Sequence, residues 1–179
     1  MNKILLIASL LLFSISYSQN GEKTINKKEE KQLFEKTEKN ARNDNLEIQP
    51  FAQMELGEMY YEGKGTEKNF KKAFYWFKKS AENGVVGANA RVAYMYYDGE
   101  GTLKSYKDAF YYIQRGLGFE LDAKSLFYIG RMYFYGQGTD KNKKLCAYWI
   151  KKAYETPMES EYKERAEKFW NDNELWNYE

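Results

Sequence analysis

Three glutamates, Glu55, Glu58 and Glu62, come nearest to acid–base chemistry by residue type and spacing. Offsets of three and four residues place them on one face of a helix, and two neighbouring carboxyl groups can hydrolyse a glycosidic bond. A catalytic pair usually keeps one carboxyl group in an apolar site, which raises its pKa. Nothing in the surrounding sequence indicates such a site. A solvated acidic helix face is therefore the simpler interpretation, and a hydrolase acting on peptidoglycan or a related polymer is the alternative.

The composition removes most other catalytic and metal-binding chemistry. The 179 residues include no histidine and one cysteine. The usual general base, the Ser–His and Cys–His pairs and the usual zinc ligands are therefore missing. The formal net charge of +2 gives no overall field that would attract nucleic acid or an anionic membrane. We predict a protein that is not an enzyme, holds no cofactor or metal and binds no nucleic acid.

A segment of the form Gly-x-Gly-Thr occurs three times, beginning at Gly63, Gly99 and Gly136, which are 36 and 37 residues apart. In each copy an aliphatic residue lies seven residues before the first glycine, a methionine lies four before it and a tyrosine three before it. These offsets define one face of an α-helix. Glycine just past a helix end takes a left-handed conformation that costs other residues about 1–2 kcal/mol. Each segment is therefore predicted to end a helix. It is not a dinucleotide-binding loop, which has a third glycine and follows a strand.

A second helix is predicted after each glycine segment. Asn69, Ser105 and Asn142 lie four residues after the second glycines, and their side chains are of the type that caps a helix N-terminus. A small residue and a large aromatic residue then recur at fixed positions, as Ala73 and Trp76, Ala109 and Tyr112, and Cys146 and Trp149. Helices this short are marginal alone in water. The helix pairs must therefore pack on one another and on the next copy.

These copies resemble the Sel-one-like repeat family, relatives of the tetratricopeptide repeats. The first copy matches the family pattern at Ala52, Leu56-Gly57, Tyr60, Gly63-Lys64-Gly65, Asn69, Ala73 and Trp76. The copies depart from the pattern at Thr66, Thr102 and Thr139, where the family usually has Val. The resemblance implies an all-α fold, a right-handed superhelix of tandem antiparallel helix pairs in which the first helices line a concave, partner-binding groove.

The variable positions of the first helices are predicted to face this groove. They are Glu55, Glu58, Glu62, Arg91, Tyr94, Asp98, Tyr128, Arg131 and Tyr135. The series changes from acidic to Arg and Tyr, which are common in binding hot spots. We predict an extended or helical peptide ligand with its basic end at copy one and a carboxylate or aromatic end at copy three. The alternative is an ordinary polar helix face. Lysines of the second helices, such as Lys71, Lys72, Lys78 and Lys79, are interpreted as the solvated outer side.

The repeats are flanked by segments with other roles. Residues 1–18 have the basic start, apolar run and small-x-small end of a secretory signal peptide. Residues 19–30 are predicted to be a disordered lead-in, 31–48 an N-terminal capping helix, 49–155 the three repeats and 156–179 a C-terminal capping helix. A binding tail is the alternative for the last segment. Extra glycine in residues 115–119 predicts a weak junction between copies two and three.

Taken together, these features predict a monomeric protein that is periplasmic or secreted after signal removal. Its predicted role is a non-enzymatic adaptor of the cell envelope or an inhibitor or immunity protein, and the carboxylate-based hydrolase is the alternative. Cys146 is the only cysteine. It is interpreted as a buried thiol in a position that requires a small residue, and an intermolecular disulfide is the alternative.

Overall fold

The computed structural model describes residues 26–43, 47–116, 122–157 and 160–179. Within these ranges the chain contains no strand. Its helices are α1 (Lys27–Ala41), α2 (Gln49–Glu62), α3 (Phe70–Glu82), α4 (Val86–Asp98), α5 (Tyr106–Gly116), α6 (Ala123–Tyr135), α7 (Lys143–Tyr154), α8 (Glu161–Asp172) and a short 3-10 helix (Leu175–Tyr178). Each helix packs on the next one along the chain. The predicted all-α solenoid is confirmed, and the predicted signal peptide lies outside the described residues.

The second helices begin at the predicted capping residues. The Asn69 side chain accepts a hydrogen bond from the Lys72 amide at 3.0 Å, and Asn142 accepts one from the Leu145 amide at 2.9 Å. Ser105 accepts from the Asp108 amide at 3.2 Å. Each bond satisfies an amide that has no partner within its helix. The N-cap prediction is therefore confirmed in all three copies.

The glycine segments end the first helices as predicted and also stack the copies. Gly63, Gly99 and Gly136 adopt φ values of 80°, 78° and 72°. The second glycine of each segment also lies against the preceding helical unit. A Cβ atom on Gly101 would come within 2.1 Å of the Phe70 carbonyl oxygen at the start of α3. Because that contact leaves no room for a side chain, this glycine sets how closely one copy approaches the copy before it.

The two terminal helices cover the ends of the repeat stack. Helix α1 begins at Lys27, four residues before the predicted start and inside the predicted disordered lead-in. The cause is a capping box in which Asn26 accepts from the Glu29 amide and Glu29 accepts from the Asn26 amide. At the other end α8 packs on α7 and α6, and Trp170 and Leu175 are buried.

The junction between copies two and three differs from the others. Among the contacts between successive α-helices of the described chain, that between α5 and α6 is the least extensive. Helix α5 continues through Gly116, and the rest of the predicted glycine-weakened segment lies outside the described residues. The first helices of these two copies are instead joined by side chains, which form part of the candidate site.

Candidate functional site

The nine predicted groove residues lie on α2, α4 and α6, the first helices of the three copies, and we call their shared surface the inner face. These residues differ in exposure. Glu55, Glu62, Asp98 and Tyr135 are exposed, Glu58, Arg91 and Arg131 are half-buried, and Tyr94 and Tyr128 are buried. The inner face therefore offers a partner mostly charged side chains, and fewer tyrosines than predicted.

An ion pair joins copies one and two on this face. The Arg91 Nε lies 2.6 Å from the Glu58 Oε1. Burial raises the pKa of Glu58 above its ordinary value, Arg91 opposes that rise, and Glu62 adds to it slightly. Because Arg91 remains partly exposed, solvent weakens the pair, and its contribution to stability is of the order of 1 kcal/mol or less.

Tyr94 connects copy two to the start of α6. Its hydroxyl donates to the Asp122 Oδ1 at 2.6 Å. Since that uses its only proton, it accepts from the Ser125 Oγ, also at 2.6 Å. Asp122 in turn caps α6 by accepting from the Ser125 amide at 2.7 Å. Burial, helped by the adjacent Asp122 carboxylate, raises the pKa of Tyr94 strongly. This side chain is thus an internal link, which differs from its predicted role as a contact residue.

Tyr128 forms a second link across the same junction. Its ring stacks on that of Tyr97 with the centroids 4.3 Å apart and the planes at 23°. Its hydroxyl donates to the Asp98 Oδ2 at 3.2 Å, and the Tyr97 hydroxyl donates to the Gln137 Oε1 at 3.2 Å. The two rings therefore pack on one another, and both hydroxyls find partners in the opposite copy. They compensate for the limited contact between α5 and α6.

Two cations remain accessible at the copy-three end of the inner face. The Lys124 Nζ lies 4.2 Å from the Tyr94 ring centroid and 5.3 Å from that of Tyr162. The Arg131 guanidinium lies 5.5 Å from the centroid of the Tyr135 ring. Rings at these distances stabilise a cation and restrict its side chain. Both charges are therefore held in place while they remain able to meet an anion.

A cavity of about 480 Å³ opens between the N-terminal halves of α4 and α6. Met54, Ala90 and Ile113 contribute apolar surface, and Arg91 and Lys124 contribute positive charge. This volume falls within the range of roughly 300–1,000 Å³ that is usual for ligand sites. Because Arg91 is already paired with Glu58, Lys124 is the cation that the cavity offers to a carboxylate beside an apolar side chain.

Sequence reasoning missed Lys124, Asp122 and Met54 as parts of this site. Asp122 carried a usable signal, because an aspartate just before an apolar helix is a common N-cap. Lys124 and Met54 carried none, since each is an ordinary residue at its position until a neighbouring copy packs beside it. In the described ranges no three His, Cys, Asp or Glu side chains are placed to hold a metal ion. The described helices also include none that is long and apolar enough to cross a membrane.

The fold and the inner face define an α-solenoid repeat protein. The Sel1 repeat model matches residues 50–85, 86–116 and 123–155, which is more than half of the chain. This chain therefore belongs to the Sel1 repeat family, as its residue pattern predicted. Sel1 repeats are generally a protein–protein interaction fold and typically a non-catalytic scaffold.

Among the solved structures that are similar to this chain are two Sel1-type repeat proteins. One is c5321, a protective antigen present in uropathogenic Escherichia coli strains that displays an SLR fold. The two chains are 28% identical with a TM-score of 0.59, and the match covers 68% of this chain and 25% of c5321. The other is the Sel1 repeat protein from Oxalobacter formigenes, with 26% identity and a TM-score of 0.60 over 80% of this chain and 53% of that chain. This chain thus spans about a quarter of the length of c5321 and about half of the length of the Oxalobacter formigenes protein. No curated protein matches it significantly.

Proposed function

We propose that this protein is an exported, non-enzymatic scaffold that binds a peptide segment of a partner protein in its inner-face cavity. It acts as an adaptor of the cell envelope or as an inhibitor of an envelope protein. The observation that carries the proposal is the cavity of about 480 Å³ between successive first helices, with Arg91 and Lys124 at its edge.

Charge along the inner face suggests the direction of the bound segment. Glu55 and Glu62 are exposed on the first helix of copy one, whereas Lys124 and Arg131 lie on that of copy three. A segment with a basic residue at one end and an acidic residue at the other would complement both ends. An apolar side chain between them would enter the cavity. Complementary charge of this kind mainly fixes orientation and partner choice.

The test is selection from a random peptide library displayed on phage, using the purified protein. We expect enriched peptides with a basic residue, an apolar residue and an acidic residue in one consistent order. Ala90→Phe places a ring in the cavity and should weaken the binding of a selected peptide at least about tenfold, because the apolar side chain loses its site. The control is Gln114→Phe, which adds the same ring on an exposed position of α5 and should leave binding unchanged. A selection that enriches no common pattern, or equal binding by both variants, would refute the proposal.

A hydrolase remains the second candidate because one observation favours it. Burial raises the pKa of Glu58, and the neighbouring Glu62 adds to the shift, as the acid of a carboxylate pair requires. The ion pair with Arg91 opposes this role, since it stabilises the charged form. Incubation of the protein with purified peptidoglycan decides between the two. Soluble fragments released by the native protein and not by Glu58→Gln would establish the hydrolase, and our proposal requires that none be released.

Export is tested separately. Residues 1–18 predict a signal peptide, so mature protein from the producing cells should begin at Gln19 and be found outside the cytoplasm. N-terminal sequencing of the protein from each cell fraction measures this. Intact protein that begins at Met1 in the cytoplasm would show that the proposed location is wrong.

A further inference from the structure

The second helices carry a repeated feature that the inner-face function does not use. Tyr75, Tyr111 and Tyr148 occupy the same position in α3, α5 and α7, ten residues after the second glycine of each segment. A basic residue lies four positions before and four positions after each of them, as Lys71 and Lys79, Lys107 and Arg115, and Lys144 and Lys152. Residues four apart lie on one face of a helix. Each copy thus presents the same group of cation, tyrosine and cation, and we call the three groups the outer row.

The outer row is open to solvent in every copy. Its three tyrosines are 52%, 51% and 50% exposed, and all six cations are exposed. None of these cations forms an ion pair with another described residue. The hydroxyls of Tyr75 and Tyr148 make no hydrogen bond within the described chain, whereas the Tyr111 hydroxyl accepts one from Arg115 at 3.1 Å. The Arg115 guanidinium lies 5.8 Å from the Tyr111 ring centroid, and the Lys152 Nζ lies 4.8 Å from that of Tyr148. The other four cations of the row make no such contact within the described chain.

The three rings are held in the same way. Tyr75 meets the ring of Trp76 edge-on, with the centroids 5.0 Å apart and the planes at 79°. The corresponding pairs in copies two and three have centroid distances of 5.2 and 4.9 Å and angles of 84° and 79°. Trp76 itself is buried in the core. Tyr75 and Tyr111 are thus fixed against buried rings, and Tyr148 is fixed against the half-buried ring of Trp149. This restriction lowers the entropy lost when a ligand packs on them.

Charge is distributed unequally between the two faces. Helices α3, α5 and α7 carry ten Lys and Arg and two Asp and Glu, whereas α2, α4 and α6 carry three Lys and Arg and four Asp and Glu. The small net charge of the whole chain conceals this difference. The outer side therefore has a local positive potential that is complementary to an anionic partner.

We propose that the outer row binds an acidic polysaccharide of the uronic acid type. The apolar face of a pyranose ring packs on a tyrosine ring, and the tyrosine hydroxyl bonds to sugar hydroxyls. The flanking lysine and arginine side chains pair with the carboxylate groups. Because the group recurs in three copies, one polymer chain can contact several groups at once, which multiplies weak single contacts. This site is separate from the proposed peptide cavity and does not depend on it.

Two other anionic partners fit the row less well. A membrane surface needs an apolar helix face that enters the lipid, and the large apolar neighbours Trp76 and Tyr112 are instead buried in the core. A nucleic-acid strand carries one charge for about every 3.4 Å, whereas each copy of the row offers two cations for one ring. A polyuronate is less densely charged and offers ring surface, which matches tyrosines alternating with cations.

The test is affinity electrophoresis of the full chain in gels that contain polygalacturonate. We expect retardation that weakens as salt is added, because salt screens the exposed cations. The triple variant Tyr75→Ser, Tyr111→Ser and Tyr148→Ser keeps every charge and should bind at least about tenfold more weakly, since three ring contacts are lost. The triple variant Lys79→Gln, Arg115→Gln and Lys152→Gln should lose most of the binding and its salt dependence.

A matched control separates the row from exposed aromatic residues in general. Phe51, Tyr135 and Trp176 are 66%, 45% and 48% exposed and lie outside the row. Their joint replacement by serine should leave retardation unchanged. Absence of retardation for the native chain, equal retardation in neutral dextran, or an equal loss in this control would overturn the proposal. Tighter binding to an oligothymidylate or to vesicles of phosphatidylglycerol would overturn it as well, in favour of a nucleic acid or a membrane.

Discussion

Tyr94 and Tyr128 on the inner face are 6% and 5% exposed, whereas Tyr75, Tyr111 and Tyr148 on the outer face are about half exposed. On the inner face the rings of successive copies meet, with the Tyr94 and Tyr128 centroids 5.5 Å apart. The outer tyrosines meet only rings and cations of their own helix. The same residue type therefore joins copies on one face and remains available on the other. Tyrosine content alone does not locate a binding surface in a solenoid, because contact between copies decides which rings are covered.

Both faces depend on the stacking of copies, so the largest effect is expected where the stacking itself is disturbed. Gly101→Ala would place a methyl group 2.1 Å from the Phe70 carbonyl oxygen at a φ of +69°. We expect the free energy of unfolding in urea to fall by about 3 kcal/mol or more, from strain and a forced separation of copies one and two.

Gly84→Ala is the matched control for this change. Gly84 has a φ of +91° but no atom within 4 Å of the added Cβ. The variant's free energy of unfolding should fall only by the cost of a left-handed conformation for a residue with a Cβ atom, about 1–2 kcal/mol. Equal losses in the two variants would show that contact between copies at Gly101 contributes nothing.

The second prediction compares one ring from each face. Tyr128→Leu removes the stack on Tyr97 and the hydrogen bond to Asp98, and should lower the free energy of unfolding by about 2–4 kcal/mol. Tyr148→Leu removes an exposed ring and should change it by less than about 0.5 kcal/mol. Urea denaturation of both variants measures the difference. Similar values for the two would contradict the distinction between the faces.

The third prediction isolates single hydroxyl groups. Tyr94→Phe removes the shared partner of the exposed Asp122 carboxylate and the buried Ser125 hydroxyl. It should cost about 1–2 kcal/mol, mainly because Ser125 is buried. Tyr75→Phe removes a hydroxyl that faces solvent, and should have almost no effect on stability. Thermal unfolding at matched concentration checks both. If Tyr94→Phe left the stability unchanged, the hydrogen bonds to Asp122 and Ser125 would not hold copies two and three together.

The smallest change in the free energy of unfolding is expected for a substitution of Cys146, on the core side of α7. Cys146 lies two residues before Tyr148 on α7, yet it is fully buried, which confirms the interpretation as a buried thiol. Burial raises the pKa of Cys146 to about 12, so almost no thiolate is present at pH 8. Cys146→Ala should change the free energy of unfolding by less than about 1 kcal/mol.

The rate at which dithionitrobenzoate labels the Cys146 thiol tests this burial directly. Native protein at pH 8 should react far more slowly than protein unfolded in urea. Non-reducing gels should show no covalent dimer. Rapid labelling of the native protein would instead favour the alternative interpretation, in which an exposed Cys146 forms an intermolecular disulfide.

Much of the fold could be predicted because it depends on local chemistry repeated three times. Asn69, Ser105 and Asn142 cap their helices, and Gly63, Gly99 and Gly136 are left-handed, because each responds to the few residues around it. The start of α1 was predicted too late, since the capping box at Asn26 was not recognised. The predicted groove used the family resemblance and the positions that the repeat pattern leaves variable. Periodicity gives the side of a helix on which a residue lies, but not whether the next copy covers it.

The sequence by itself determined the helix pairs, their ends, the family and the alternating cations and tyrosines of the outer row, since these follow from spacing within one copy. Only the tertiary structure decided that Tyr94 and Tyr128 are internal links, that Gly101 touches the preceding copy and that Lys124 lies over three rings. The physical reason is distance. Burial and hydrogen bonding depend on atoms about thirty residues away along the chain, and packing between copies sets where those atoms lie.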